Sequence, residues 1–365
     1  MSTAWAALRI PHGGSLPPRW LMLFGLALVN AAAGTAPVVE YLCGEVRRGS
    51  VRTLQVKGRY RLACQFFVRE GAVLVVEPGT RVDAIPPDES FQSLPAIVVE
   101  QGARIMANGT KAQPITFTAE RPFDDRSKNV TVDHAKEHTI ESGLRGKWGG
   151  IVVLGRSPIA QGYSAFVEGL EEKTPYGGNN PDDDSGVLRY VRIWHPGALL
   201  TADNELNGLT LAGVGRGTTI SHVEVAFSLD DGFEFFGGTV NVKYLSALFV
   251  GDDAFDVDAG YQGRGQYLFS ILGSHGDHGL EINAFNGSSP RSYPELYSVT
   301  VLGAIHANQP GSSQAPMMVT REGAAGQYGN FVLAYGSGPG AKVGSCNLDG
   351  LVQVEDPGQA QDHDV

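Results

Sequence analysis

The stretches SLDDGFEFFGG at 228–238 and VGDDAFDVDAG at 250–260 share one pattern: an acidic pair, a small residue and a short run of alternating apolar residues. A looser third copy, HGDHGLEINAF, occupies 275–285. When these copies and one earlier coil are aligned on the second acidic position, the aligned residues are Asn207, Asp231, Asp253 and His278. Successive residues of this series are 24, 22 and 25 positions apart. Regular spacing in this range, with short strands and almost no helical periodicity, is typical of a solenoid.

The period and the residue types indicate which solenoid this is. Leucine-rich repeats need a Leu and Asn consensus, and calcium-binding nonapeptide rolls need Gly-Gly-x-Gly-x-Asp every nine residues; the chain has neither. A parallel β-helix with three short strands per coil fits best. Its coils stack at the ~4.8 Å spacing of strands, which places residues one coil apart in columns.

Alternation within each copy predicts which apolar side chains face the core. Two inward columns are expected: Phe233, Phe255 and Leu280 in the first, and Phe235, Val257 and Ile282 in the second. Each strand follows a small residue of the kind that a tight corner requires: Gly232, Ala254 and Gly279.

Two columns of carboxylates run beside these apolar columns. One is expected to point outward from the strands: Glu234, Asp256 and Glu281. The other is expected at the corner that precedes the strands: Asp230, Asp252 and Asp277. Like charges about 5 Å apart repel by roughly 3 kcal/mol at an effective dielectric of 20, so the columns need solvent, raised pKa values or a bound cation.

Two interpretations of the carboxylates stay open. Corner aspartates commonly accept hydrogen bonds from turn N–H groups, which is their ordinary structural use. Alternatively the chain binds Ca²⁺, a hard cation that prefers several oxygen ligands. The candidate ligands are then Asp230, Asp231, Glu234, Asp252, Asp253, Asp256, Asp258, Asp277 and Glu281.

The polar loop YGGNNPDDDSG at 176–186 is a further candidate calcium site. Asp182 and Asp184 alternate there as in a calcium loop, but Val191 stands where the closing glutamate of an EF-hand would be. The loop therefore predicts at most an irregular calcium site.

Other residues with chemical potential form weaker patterns. His275 and His278, with Asp277 between them, are better explained as polar corner residues than as transition-metal ligands. Ser228 and Ser274 lack the context of a nucleophile elbow. Aromatic residues suited either to a sugar-stacking platform or to internal stacks are Trp148, Trp194, Tyr176 and Tyr244.

Composition limits the class of protein. The chain has 365 residues, a formal net charge of −11, 18% charged residues and 48 glycines. A negative chain is unsuited to a nucleic-acid backbone, which needs a basic face. High glycine content with few charged residues predicts tight turns and buried strands instead of surface helices.

The N-terminal segment predicts export. In 1–33, two arginines precede the apolar run 20–29, and three alanines then offer a cleavage site near Gly34, as in a secretory signal peptide. A retained membrane anchor is the alternative, and no later segment is long enough to span a bilayer. We expect a secreted or cell-surface protein with a disulfide between Cys43 and Cys64, which leaves Cys346 over.

The expected organisation has four parts. After the signal peptide come an N-terminal cap at 34–68, the β-helix at 69–340 and a C-terminal tail at 341–365, which is expected to be disordered.

The chain also resembles a widespread family of exported bacterial and algal proteins, described as hypothetical cell-surface proteins or lipoproteins. The resemblance covers 54–338 and is carried by GKWGGIVVLGRSPI at 146–159, NELNGLTLAG at 204–213 and DDGFEFFGGTVN at 230–241. It implies a right-handed single-stranded parallel β-helix with irregular loop insertions, and it implies no particular activity. The turn RIWHPG at 192–197 departs from the family pattern, so the resemblance assigns no role to this turn.

Two classes of function follow. The first is a secreted or cell-surface protein with a non-catalytic binding or structural role toward a glycan, a matrix component or a cation. The second is a calcium-dependent polysaccharide lyase or glycoside hydrolase of the pectate-lyase-like type, in which Lys243, Arg264 and Arg216 are the available bases. These bases are sparse and fall at different phases of the coil, so the sequence favours binding and assigns no catalytic residue.

Overall fold

A computed structural model of the chain describes residues 38–87, 93–120, 143–201, 204–273, 276–284, 287–303, 316–335 and 352–354. The predicted signal segment and nearly all of the predicted tail lie outside these ranges. The described part contains no helix that is long and apolar enough to cross a membrane.

Strands dominate the described part of the chain. Their bounds are β1 Val39–Val46, β2 Val51–Leu54, β3 Arg59–Val68, β4 Val73–Val76, β5 Arg81–Ala84, β6 Ala96–Val99, β7 Arg104–Asn108, β8 Ile115–Ala119, β9 Ile151–Leu154, β10 Ala165–Phe166, β11 Pro175–Tyr176, β12 Gly186–Trp194, β13 Leu199–Thr201, β14 Asn204–Glu205, β15 Leu209–Ala212, β16 Thr219–Ala226, β17 Phe233–Phe236, β18 Val242–Leu248, β19 Phe255–Asp258, β20 Arg264–Ile271, β21 Leu280–Ile282, β22 Glu295–Gly303, β23 Met318–Thr320, β24 Gln327–Gly329, β25 Val332–Tyr335 and β26 Val352–Val354.

Parallel pairing stacks most of these strands in three ladders around one core, while β10 with β11 and β13 with β14 form two short antiparallel pairs. The ladder called sheet 1 runs β6, β9, β15, β17, β19, β21, β23 and β26. Sheet 2 runs β2, β4, β7, the first halves of β12, β16, β18, β20 and β22, and then β24. Sheet 3 runs β5, β8, the second halves of the same long strands, and β25. The fold is a right-handed parallel β-helix, which confirms the predicted class.

The predicted columns have the predicted register. Phe233 pairs with Phe255 and Glu234 with Asp256, and the next coil continues the second pair at Glu281. The first apolar column is fully buried, and its two phenylalanines are each no more than 1% exposed. A Cβ on Gly232 would lie 2.7 Å from the carbonyl oxygen of Ala254, so the corner before the strand does require a glycine there.

The described part of the predicted N-terminal cap belongs to the same ladders. β1 pairs in parallel with β3, and β2 pairs with β4. Cys43 on β1 and Cys64 on β3 form a disulfide with a Cα–Cα distance of 5.0 Å. The first coil is therefore joined to the second both by strand pairing and by a covalent bond.

A second apolar core lies on the outer face of sheet 1. The excursion 155–185, which connects β9 to β12, packs its apolar side chains against outward side chains of sheet 1. The segment before β15 also contributes to this core. Members of the core include Val152, Leu154, Ala212, Ile159, Val167, Tyr176 and Leu206. Gln65, which is 1% exposed, anchors the excursion by donating to the Gly169 carbonyl at 2.8 Å. Part of the outer face of the β-helix is thus covered by its own insertion.

Candidate functional site: an acidic cluster on the outer face

The outer face of sheet 1 changes from apolar to acidic along the helix axis. Successive coils place these residues in one outward column: Val98, Val152, Thr210, Glu234, Asp256 and Glu281. The excursion covers the apolar end of this face and extends to the coil that contains Glu234. Glu234 faces away from the β-helix core, as predicted, but it is only 7% exposed.

The second acidic position of each copy, next to the corner column, shows the structural use of aspartate that the sequence left open. The N–H of Asp253 donates to Asp231 Oδ1 at 2.9 Å, and the N–H of His278 donates to Asp253 Oδ1 at 2.6 Å. Asn207 begins the series, because its Oδ1 accepts from the N–H of Asp231 at 3.1 Å and its Nδ2 donates to Glu234 Oε2. Each coil is thereby tied to the next through a side chain.

Three carboxylates converge where this series of second acidic positions meets the outward column. Asp231, Glu234 and Asp256, called the carboxylate trio below, each offer an oxygen within 4.8 Å of the other two. Asp256 Oδ1 is fully buried and has no hydrogen-bond partner among the described residues. Two further groups of this kind adjoin the trio, namely Asp230 with Asp231 and Asp252, and Asp253 with Asp277 and His278.

Burial makes the trio costly to ionise. Desolvation raises the pKa of Asp231, Glu234 and Asp256 well above the usual carboxyl range, and neighbouring carboxylates raise it further. At the corner, burial and then the charge of Glu205 raise the pKa of Asp230 to about 8. Without a counter-ion, ionisation of this part of the cluster is unfavourable.

The next coil supplies its own counter-charge. His278 is 2% exposed, and its Nδ1 lies 2.9 Å from Asp253 Oδ1, 3.2 Å from Glu281 Oε2 and 3.4 Å from Asp277 Oδ2. Burial alone would lower the pKa of His278, but hydrogen bonds to Asp253 and Glu281 raise it to about 10. The imidazolium therefore neutralises charge at the C-terminal side of the cluster.

Glu281 has a lowered pKa, in contrast to the carboxyl groups of the trio. Burial opposes its ionisation, but hydrogen bonds from His278 and Asn283 and the charge of Arg321 lower its pKa to about 2. Arg321 Nη1 donates to Glu281 Oε1 at 2.6 Å. At Asp253, burial outweighs the histidine and raises the pKa to about 7.

Sequence reasoning missed several neighbours of the trio. Thr210 is fully buried in the outward column, one coil before Glu234, and its Oγ1 has no partner among the described residues. Tyr176 comes from the excursion, and its pKa is raised by burial and then by the charges of Glu234 and Asp258. Alignment of the copies could have placed the threonine in the column. Nothing in the repeat locates the tyrosine, because the excursion does not follow the coil period.

The remaining predicted ligands have different surroundings. Asp258 lies on β19 two residues after Asp256, in a neighbouring column where it pairs with Phe236. Burial raises its pKa to about 6, and its Oδ1 has no partner among the described residues. Asp252 and Asp277 are exposed at the corner.

In the polar loop, Asp182 Oδ1 accepts from Arg216 and Asp184 Oδ2 accepts from Arg104 at 2.6 Å. The two loop carboxylates therefore bind different arginines.

Apart from His278 and Tyr176, the weaker candidates do not converge on the cluster. Trp148 and Tyr176 are buried while Tyr244 is 42% exposed on sheet 2, so these residues form no shared platform with Trp194. Ser228 is buried, with no partner for its hydroxyl among the described residues, and His275 and Ser274 lie outside the described ranges.

The three candidate bases also lie elsewhere. Lys243 is on β18, with its ammonium 5.3 Å from the ring centroids of Tyr244 and Tyr267. Arg264 pairs with Glu295, and together with Arg216 these residues line a surface groove that includes no member of the acidic cluster.

Comparison with known proteins agrees with the fold. No curated protein and no solved structure matches the chain. Residues 44–353 match the family described as pectate-lyase like beta helix domain. This match covers most of the chain, and it agrees with the parallel ladders and the stacked columns. The chain belongs to the pectate-lyase-like β-helix family.

Proposed function

We propose that this chain is a calcium-binding β-helix protein of the cell exterior, with a binding role toward polysaccharide or matrix material. The observation that carries the proposal is the carboxylate trio, whose members each offer one oxygen within 4.8 Å of the other two. In the same trio, Asp256 Oδ1 is buried and has no partner among the described residues. Oxygens on opposite sides of Ca²⁺, at about 2.4 Å each, are about 4.8 Å apart, so the three can reach one ion.

The charge balance of the cluster supports a cation at this position. Two carboxylates 4.8 Å apart repel by roughly 3 kcal/mol at an effective dielectric of 20, and the trio contains three such pairs. His278 and Arg321 offset the charges of Asp253 and Glu281, one coil beyond the trio. A divalent ion bound to the trio would offset the repulsion between its carboxylates, which protonation would otherwise relieve.

The ligand chemistry favours calcium over other divalent ions. The trio offers only carboxylate oxygens, which suit Ca²⁺ and Mg²⁺ better than Zn²⁺. Mg²⁺ needs near-ideal octahedral geometry and loses water reluctantly, so a partly buried and irregular site suits it less than Ca²⁺.

A role at the cell exterior is supported indirectly. The 1–33 segment has the pattern of a secretory signal, and the first two coils are joined by the disulfide, which fits an oxidising compartment. The family is named for its likeness to pectate lyases, which suggests a polysaccharide as partner.

A second candidate function is hydrolysis of a glycosidic bond by a pair of carboxyl groups. It is favoured by the contrast in one cluster between Glu281, whose pKa is about 2, and Asp230, whose pKa is about 8. Such a contrast separates a carboxylate from a proton donor at neutral pH. A lyase mechanism has less support, because the candidate bases lie away from the carboxylates.

Thermal melting with and without calcium tests the proposal. The wild-type chain is compared in EGTA, in Ca²⁺ and in Mg²⁺ with a double variant, Glu234→Gln with Asp256→Asn. Asp182→Asn with Asp184→Asn serves as a matched control, because it removes two carboxylates of the polar loop. Calcium at 100 times its Kd should stabilise wild type and control by about 2.7 kcal/mol, and the trio variant hardly at all.

Two results would overturn the calcium proposal. One is an equal calcium-dependent rise in melting temperature in the wild type and the trio variant, and the other is no such rise in any of the three proteins. Release of reducing ends from a polyuronate in EGTA without formation of an unsaturated uronide, lost in Asp230→Asn, would instead establish the hydrolase function.

A further inference from the structure

A ladder of aromatic rings runs along the corner between sheet 2 and sheet 3. Four successive coils place these residues at the same position: Tyr190, His222, Tyr244 and Tyr267. Their ring centroids are 4.2, 4.5 and 5.0 Å apart, and their planes are tilted by 24°, 30° and 10°. This aromatic ladder therefore follows the helix axis with one ring per coil.

The corner does not itself require aromatic residues. All four residues have positive φ, between 49° and 60°, a conformation that is costly for bulky side chains. In the next two coils Ser298 and Asn330 make the same bend, with φ of 58° and 60°. Small polar residues thus suffice for the turn, and the rings are additional to it.

The ladder presents hydroxyl groups to solvent. Tyr244 is 42% exposed and Tyr267 is 44% exposed, while Tyr190 is half-buried. The phenol hydroxyls of these three tyrosines make no hydrogen bond within the described part of the chain. The ring faces contact one another in the stack, whereas the three hydroxyls have no partner among the described residues.

Two cations flank the ladder without carboxylate partners. The Arg189 guanidinium lies 5.5 Å from the Tyr190 ring centroid, and the Lys243 ammonium lies beside the next stacked pair, 5.3 Å from the ring centroids of both Tyr244 and Tyr267. Neither forms an ion pair with a described residue. In a chain with a net charge of −11, this strip is a local exception.

We propose that the aromatic ladder and its two flanking cations bind a linear acidic polysaccharide that lies along the helix axis. Polar groups repeated once per coil, three phenol hydroxyls and the imidazole of His222, suit a polymer whose own hydroxyl and carboxylate groups repeat at short intervals. The cations supply charge complementarity, and Tyr267 offers a partly open ring face because the next residue of its column is Ser298.

Other macromolecules fit the ladder less well. A nucleic-acid backbone needs many cations, while the strip has two on a strongly negative chain. A stable protein interface needs a broad apolar centre, whereas the ladder shows mainly ring edges and hydroxyls. The inference rests on the proposed function only for the class of partner, a polysaccharide. The ladder is separate from the calcium proposal, because the ladder and the acidic cluster lie on different sheets.

Binding of sodium alginate in EGTA tests the ladder separately from the calcium site. Isothermal titration is run on the wild type and on Tyr244→Phe with Tyr267→Phe, which keeps the stacked rings and removes two hydroxyls. Arg189→Gln with Lys243→Gln tests the cations. The matched control is Tyr163→Phe with Lys173→Gln, since Tyr163 is 77% exposed on the excursion and Lys173 lies there too.

The expected result is binding by the wild type and the control, with affinity weakened about tenfold or more in both ladder variants while their melting temperatures stay unchanged. Equal binding by all four proteins, no binding by the wild type, or tighter binding of single-stranded DNA than of alginate would overturn the inference. Loss of calcium binding in the trio variant leaves this result unaffected, so the two proposals fail separately.

Discussion

Phe233 and Phe255 stack one above the other in adjacent coils, with ring centroids 5.4 Å apart and planes tilted by 13°. The two residues are paired in the parallel ladder of sheet 1, so their backbones hold the rings in register. Directly outside them, on the same two strands, lie Glu234 and Asp256 of the carboxylate trio. The packing of the core column and the geometry of the acidic cluster are therefore set by the same pair of strands.

Removing one ring of this stack should destabilise the protein strongly. Phe255→Ala is expected to cost about 3–5 kcal/mol, because it removes a large apolar side chain and leaves a cavity in a close-packed column. Phe166→Ala is the control, since Phe166 is 55% exposed, and it should change stability by less than about 0.5 kcal/mol. Urea denaturation measures both, and similar losses would contradict the burial of the column.

Two aspartates three positions apart should respond in opposite directions. In EGTA, Asp256→Asn should be neutral or slightly stabilising, because it relieves repulsion around an oxygen that has no donor. Asp253→Asn should destabilise the protein by about 1–3 kcal/mol, because it weakens the buried contact with His278. Chemical denaturation of both variants in EGTA measures the difference. A destabilising effect of Asp256→Asn as large as that of Asp253→Asn would show that the trio is satisfied without a cation.

The cation-free protein should lose stability as the pH rises from about 5 to 8. Folding raises the pKa of Asp230 to about 8 and of Asp253 to about 7, above the unfolded value of about 4, so the folded chain binds more protons across this range. His278 acts in the same direction, since its folded pKa of about 10 exceeds the unfolded value of about 6.5.

Urea midpoints in EGTA at pH 5 and pH 8 measure this slope, and the midpoint at pH 5 should be the higher. Asp230→Asn should reduce the difference between the two midpoints, because it removes one of the carboxyl groups with a raised pKa. A midpoint that rises with pH would contradict the raised pKa values. Calcium should also reduce the slope, because it replaces protons on the trio.

Breaking the disulfide should loosen the N-terminal coil. A loop closed over a sequence separation of 21 residues is worth about 3 kcal/mol through the unfolded state. In Cys43→Ser with Cys64→Ser, amide hydrogen exchange should accelerate in β1 and β3, and exchange in β17 and β19 should stay unchanged, because solenoid coils depend mainly on their neighbours. Equal acceleration throughout would show that the coils unfold as one unit.

The sequence by itself established the coil and its columns. Spacings of 24, 22 and 25 residues, with a strand at each repeat, leave parallel stacking as the arrangement that keeps the apolar positions together. Because side chains alternate along a strand, the same pattern places Glu234 and Asp256 on the outer face. The repeat alone therefore groups its acidic residues into one set of neighbouring columns.

Only the tertiary structure decided what surrounds these carboxylates. The excursion 155–185 does not follow the repeat, so its path over sheet 1 could not be derived from the period. Its cover makes Glu234 a buried acid, and burial then sets the protonation state of the trio. The aromatic ladder was missed for a related reason: its residues share a bend of positive φ inside long strands, and such a bend depends on backbone geometry that a hydrophobic pattern does not encode.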